Sequence, residues 1–177
     1  MKNVVLVGFM GTGKTEVAKA LAAELGREYV SLDELIVARE ERPINEIFAE
    51  DGEAYFRKVE KEVVREVAAR SGLVVDTGGG VVLDEENVTA LKRGGIVICL
   101  WADAESIYER TAGSGHRPLL KVRDPKERIR QLLDYRRPFY QKADFHVDTD
   151  ELDVAGVVER ITGIVNAEEK DQRKTSE

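Results

Sequence analysis

Short, continuously apolar runs alternate along the chain with longer stretches in which apolar residues recur every three or four positions. The runs are Asn3–Val7, Glu28–Leu32, Leu73–Asp76, Ile96–Trp101 and Phe145–Asp148. Val4-Val5-Leu6-Val7 and Ile96–Leu100 lack any polar alternation, as strands buried on both faces require. After the first run, Val17, Ala18, Leu21, Ala22 and Leu25 fall on one face of a helix. Asp103 precedes Ala104–Arg110 as an N-cap, and Asp124-Pro125-Lys126-Glu127 places a cap, a proline at the first helical position and an acid at the third. Gly26, Gly72 and Gly94-Gly95 sit where helices should stop and strands begin. The pattern predicts an α/β protein in which a parallel sheet is covered by helices on both faces. With no internal repeat and no linker, residues 1–166 are expected to form a single domain. Residues 167–177 are almost wholly polar and charged, so a disordered tail is expected there.

The 177 residues suit one domain, and 42% hydrophobic with 34% charged residues suits a soluble one. No run approaches the roughly 20 apolar residues of a membrane span. A formal net charge of −7 argues against a surface built to hold nucleic acid. The single cysteine, Cys99, forms no internal disulfide, and the apolar run after Met1-Lys2 is too short for a signal-peptide core, so the cytoplasm is expected. The charge is uneven: Arg110–Lys142 is strongly basic, with ten Lys and Arg against three acids. A basic segment on an acidic chain points to a local anion site, with a solvated helix face accounting for about half of these charges. A monomer is expected, since the chain has neither an additional domain nor a long exposed apolar pattern.

Gly8-Phe9-Met10-Gly11-Thr12-Gly13-Lys14-Thr15 is a complete G-x-x-x-x-G-K-[ST], preceded by the first strand and followed by a helical pattern. The glycines let backbone N–H groups turn inward around phosphate oxygens at the positive end of a helix. Lys14 then reaches the β- and γ-phosphates, and the Thr15 hydroxyl ligates Mg²⁺. The chain is expected to bind a nucleoside triphosphate. Asp76-Thr77-Gly78-Gly79 fits the D-x-x-G of a GTPase, but the guanine-reading N-K-x-D is absent. The Gly-flanked, basic Ala112–Pro118 resembles a mobile lid, spanning about 112–124. An arginine carried over the phosphates by such a lid would exclude water, which a kinase needs in order not to be an ATPase.

Further motifs follow in order: Ser31-Leu32-Asp33; Ile44-Asn45-Glu46-Ile47-Phe48; Gly52-Glu53-Ala54-Tyr55-Phe56-Arg57 with Glu60; Gly78-Gly79-Gly80; Arg117-Pro118-Leu119-Leu120; and Arg136-Arg137-Pro138-Phe139-Tyr140. In this order and spacing the chain closely resembles the shikimate kinase family over about residues 3–160. The resemblance implies a P-loop fold of the nucleoside-monophosphate-kinase type with five parallel strands and a lid. It also implies that ATP phosphorylates the 3-hydroxyl of shikimate with Mg²⁺. ATP would be held by Gly11, Thr12, Gly13, Lys14, Thr15 and Glu16, with Arg110 against adenine and Arg117 closing from the lid onto both γ-phosphate and acceptor.

The residues themselves suit a carboxylate bearing hydroxyls. Arg57 and Arg136 offer two-donor contacts to a carboxylate, and Glu60, three positions after Arg57 on one helix, holds its guanidinium in orientation. Asp33, just beyond a strand's carboxyl end, accepts the proton of the attacking hydroxyl. Gly78, Gly79 and Gly80 allow close backbone approach. Taken singly, Arg57 is equally an ion pair with Glu53 or Glu60, and Asp33 equally an N-cap.

The family usually carries D-x-D where this chain has Ser31-Leu32-Asp33, and the first of those acids contacts Mg²⁺ through water. Ser31 brings no charge, and Asp76 is the candidate to assist. Cys99 is expected in the core, His146 alternates within the last strand, and His116 neighbours Arg117. Two alternatives stand beside this assignment: another P-loop kinase of small metabolites, such as gluconate kinase, and a nucleotide-binding regulatory switch.

Overall fold

A computed structural model describes residues 1–112 and 122–175. Five strands form one parallel sheet: β1 (Asn3–Gly8), β2 (Glu28–Ser31), β3 (Leu73–Asp76), β4 (Gly95–Trp101) and β5 (Phe145–Asp148), in the order β2-β3-β1-β4-β5. Each coincides with a predicted run to within a residue at either end. The central strand β1 pairs with β3 through Val4↔Val74 and with β4 through Val4↔Ile96.

The helices are α1 (Lys14–Leu25), α2 (Leu32–Glu40), α3 (Ile44–Glu50), α4 (Gly52–Ala68), α5 (Glu85–Gly94), α6 (Ala104–Thr111), α7 (Pro125–Tyr140) and α8 (Val154–Thr175). Because successive strand residues face opposite sides, the apolar runs divide between two cores. Val4, Leu6, Ile98 and Leu100 pack with Val17 and Leu21 of α1 and Val157 and Ile161 of α8. Val5, Val7, Val97 and Cys99 pack against the other side, with Phe56 and Val63 of α4 and Ile129 and Leu133 of α7. Continuous apolarity is therefore the sum of two alternating faces. Among the described residues no helix is long and apolar enough to cross a membrane.

The predicted caps hold: Asp103 accepts from Ser106 N at 2.7 Å and Asp124 from Glu127 N at 3.0 Å. The expected disorder from residue 167 is corrected, because α8 continues through Thr175. Polar residues of high helix propensity extend the helix without needing a core. The Arg27 guanidinium, largely buried, pairs with Glu169 at 2.7 Å and donates to Lys2 O at 3.0 Å, which ties the extension to the domain.

Candidate active site

The carboxyl ends of β1, β2 and β3 open onto one cleft of about 590 Å³, as ligand sites in open parallel sheets do. Its walls are Met10, Gly11 and Gly13–Glu16 from the loop after β1, Ser31 and Asp33 after β2, Asp76–Gly79 at the end of β3, and Arg110 of α6.

The loop between β1 and α1 is shaped by its glycines. A Cβ on Gly8 (φ +147°) would sit 2.4 Å from Leu100 O, so the backbone can turn here only without a side chain. Gly13 (φ 84°) starts α1 with no side-chain cap, unlike α2, α5, α6 and α7. The first N–H groups of α1 thus remain available to an anion at the helix's positive end. The Lys14 ammonium is buried and donates to Gly8 O at 2.9 Å and Phe9 O at 3.0 Å.

Thr15 Oγ1 donates to Asp76 Oδ2 at 2.6 Å, joining the start of α1 to the end of β3. Tyr29, which the sequence reading missed, donates to the same oxygen at 3.4 Å. Burial raises the Asp76 pKa, opposed by the Thr15 hydrogen bond and the Lys14 charge. Ser31 caps α2, accepting from Glu34 N at 3.2 Å, so Asp33 is not the cap but lies in the first turn with its carboxylate on the cleft. Desolvation against the cleft walls, then the charge of Asp76, raises the Asp33 pKa, while Lys14 and Arg57 resist. A carboxylate so placed is a stronger base than an ordinary aspartate.

The glycine triplet joins the cleft to the acceptor arginines. A Cβ on Gly78 would lie 3.1 Å from Asp33 Oδ1 and 3.6 Å from Glu60 Oε1, and one on Gly79 would lie 3.6 Å from Arg136 Nη1. Arg57 Nη1 meets Glu60 Oε2 at 2.8 Å, with the Glu60 side chain only 2% exposed. Burial raises the Glu60 pKa and Arg57 opposes it. Glu53 takes the other edge of Arg57, so both partners weighed in sequence are engaged at once. Arg136, 8% exposed, lies 5.5 Å above the Phe9 ring and has a buried Nε without a hydrogen-bond partner in the described structure. Tyr140, one turn further along α7 and also missed, donates to Gly79 O at 2.7 Å. Its place four residues after Arg136 was the available signal, since such residues share a helix face.

Arg57, Glu60, Gly80 and Arg136 do not line this cleft themselves but adjoin it through the glycine triplet. Arg110 lines the cleft while donating to Thr149 Oγ1 at 3.0 Å and Thr149 O at 2.9 Å. Other charges of the basic segment form surface pairs, Lys126 with Glu105 and Arg137 with Asp134. Arg117, His116 and most of the expected lid fall outside the described residues. Cys99 is fully buried in the core, and burial pushes its thiol to about 12.

Thr15, Asp76 and Ser31 present hard oxygen donors to one end of the cleft. No group of three or more His, Cys, Asp or Glu among the described residues would hold a metal by itself. Phosphate and water would therefore supply most ligands of any cation here, the arrangement Mg²⁺ favours.

A family model described as shikimate kinase matches residues 10–166. A shikimate kinase of Thermodesulfovibrio yellowstonii is 47% identical over 161 residues, covering 91% of this chain and 93% of that one. One from Symbiobacterium thermophilum is 48% identical over 162 residues, covering 90% and 93%. The solved shikimate kinase of Acinetobacter baumannii in complex with shikimate superposes with a TM-score of 0.89 at 36% identity, covering 95% and 94%. A gluconokinase of Sinorhizobium meliloti shares the fold at a TM-score of 0.65 and 16% identity, covering 99% and 98%.

Proposed function

The chain belongs to the shikimate kinase family, and we propose that its site transfers the γ-phosphoryl group of ATP to the 3-hydroxyl of shikimate, giving shikimate 3-phosphate and ADP. It is a phosphotransferase with an alcohol acceptor, in the route to chorismate and the aromatic amino acids. The observation that carries the assignment is the convergence of Asp33, Arg57 with Glu60, and Arg136 on Gly78–Gly80, beside a complete phosphate-binding loop.

The roles follow from chemistry. The loop N–H groups of Gly11, Thr12 and Gly13 and the start of α1 through Glu16 cradle the phosphates, and Lys14 leaves its carbonyl partners for them. Arg57 and Arg136 grip the carboxylate of shikimate with charge-assisted hydrogen bonds, Glu60 fixing Arg57. Asp33 takes the proton of the attacking hydroxyl. Arg110 flanks the base, and Arg117, outside the described residues, neutralises the migrating charge from the lid. Thr15, with Asp76 and Ser31 acting through water, would hold Mg²⁺. When bound, that ion neutralises charge on the β- and γ-phosphates.

A monomer is the proposed working unit, as expected from a sequence without a long exposed apolar pattern. Its ATP requirement supports the cytoplasm as the compartment. The test is coupled ADP release with shikimate, gluconate and nucleoside monophosphates offered separately. Turnover with shikimate is expected; turnover with another acceptor and none with shikimate overturns the assignment, and slow hydrolysis indifferent to all acceptors would favour a switch.

A further inference from the structure

We propose that Glu53 is a displaceable stand-in for the substrate carboxylate, holding the open edge of Arg57 until the acceptor takes it, and so tuning acceptor affinity. The inference rests on the shikimate assignment above and concerns a residue to which that assignment gives no role.

A guanidinium offers two edges that can meet a carboxylate with paired donors. The end-on edge of Arg57 is committed: Nη1 is held by the buried Glu60 at 2.8 Å, and both tips rest against Gly80 so closely that a Cβ there would lie 2.4 Å from Nη2 and 2.7 Å from Nη1. The side-on edge remains, and one oxygen of Glu53 occupies it, accepting from Nε at 3.3 Å and Nη2 at 3.2 Å.

The two carboxylates on Arg57 differ in kind. Glu60 is 2% exposed and its removal would strand a charge, whereas the Glu53 side chain is 65% exposed and its contacts are longer. An exposed pair of residues i and i+4 is weak, because solvent screens the charges and both chains lose freedom in making it. A substrate carboxylate can instead place two oxygens on the Nε–Nη2 pair. Two carboxylates cannot share that edge without repulsion, so Glu53 must leave as substrate arrives. Glu53 stands in the first turn of α4, where the positive end of the helix stabilises a released carboxylate. Displacement is therefore cheap but not free, and acceptor affinity is lowered by the strength of the Glu53 contact. A neutral group has no charge with which to compete for the edge.

The test compares wild type with Glu53→Gln and Glu53→Ala by direct shikimate titration and by coupled kinetics. Both variants should lower shikimate Kd and KM by about two- to fivefold, the factor that an exposed ion pair is usually worth, with the KM for ATP as internal reference. A Kd unchanged or raised in both variants overturns the proposal, since Glu53 would then support Arg57 or do nothing. A general structural defect would move the ATP KM as well, which also counts against it. Wild type that neither binds nor phosphorylates shikimate defeats the functional assignment itself; wild type that does so, with variants no tighter, defeats only this inference.

Discussion

Gly80→Ala isolates the acceptor grip from the rest of the site. The backbone at Gly80 has φ −98°, which alanine adopts without strain, so the effect is steric. The new Cβ would lie 2.4 Å from Nη2, 2.7 Å from Nη1 and 2.9 Å from Cζ of Arg57. Ordinary contact begins at about 3.5 Å, so the guanidinium must retreat by about 1 Å. Packing resists little, because the obstructed atoms end a flexible side chain. The position of the fork does not survive: the 2.8 Å contact with Glu60 lengthens or breaks, and the donors shift from where a carboxylate would meet them. With hydrogen bonds to charged groups worth about 1.5–3 kcal/mol, the shikimate KM should rise roughly 10- to 100-fold. Stability should fall by less, about 1–2 kcal/mol or a few degrees in Tm, because Glu60 can take up a proton when its partner withdraws. Coupled ADP release with shikimate and ATP varied separately, alongside thermal melts, separates these effects. A shikimate KM within twofold of wild type would show that Arg57 does not bind the acceptor beside Gly80, and an equal rise in the ATP KM would show damage spreading through the loop.

Arg57→Lys keeps the charge but loses the planar fork, and should raise the shikimate KM by about one to two orders of magnitude with a smaller loss in kcat, read from the same assay. Asp33→Asn should cut kcat by about 10²–10⁴. Its stability effect has a definite sign: a carboxyl with a raised folded pKa favours the fold while protonated and loses that contribution as pH rises through the folded value. At neutral pH the neutral amide should therefore match or exceed wild-type Tm, and the advantage should vanish below the ordinary carboxylate range. Ser31→Asp should lower the Mg²⁺ concentration for half-maximal rate and Asp76→Asn should raise it; unchanged titrations in both would remove these residues from the cation's surroundings.

What the sequence determined is what neighbours in the chain determine. The five strands, the capped starts of α6 and α7 and the phosphate-binding loop are signalled by residues a few positions apart, through apolar runs, capping side chains and glycine spacing. The order of motifs likewise carried the family, because Asp33, Arg57 with Glu60, the glycine triplet and Arg136 occur together in one order and spacing along the chain. The tail shows where local inference stopped. Polarity from Ala167 onward suggested disorder, but helix propensity and the long-range pair of Glu169 with Arg27 extend α8. Tertiary structure alone decided which partner each site residue takes. Spacing left Arg57 between Glu53 and Glu60, and only the packing of α4 against the turn after β3 made one partner buried and the other exposed. Tyr140 reaches Gly79 across 61 positions, and Thr15 and Tyr29 reach Asp76 across 61 and 47. Such contacts exist because a parallel sheet gathers its strand ends along one edge, a placement created by strand order and register rather than by any neighbouring residue.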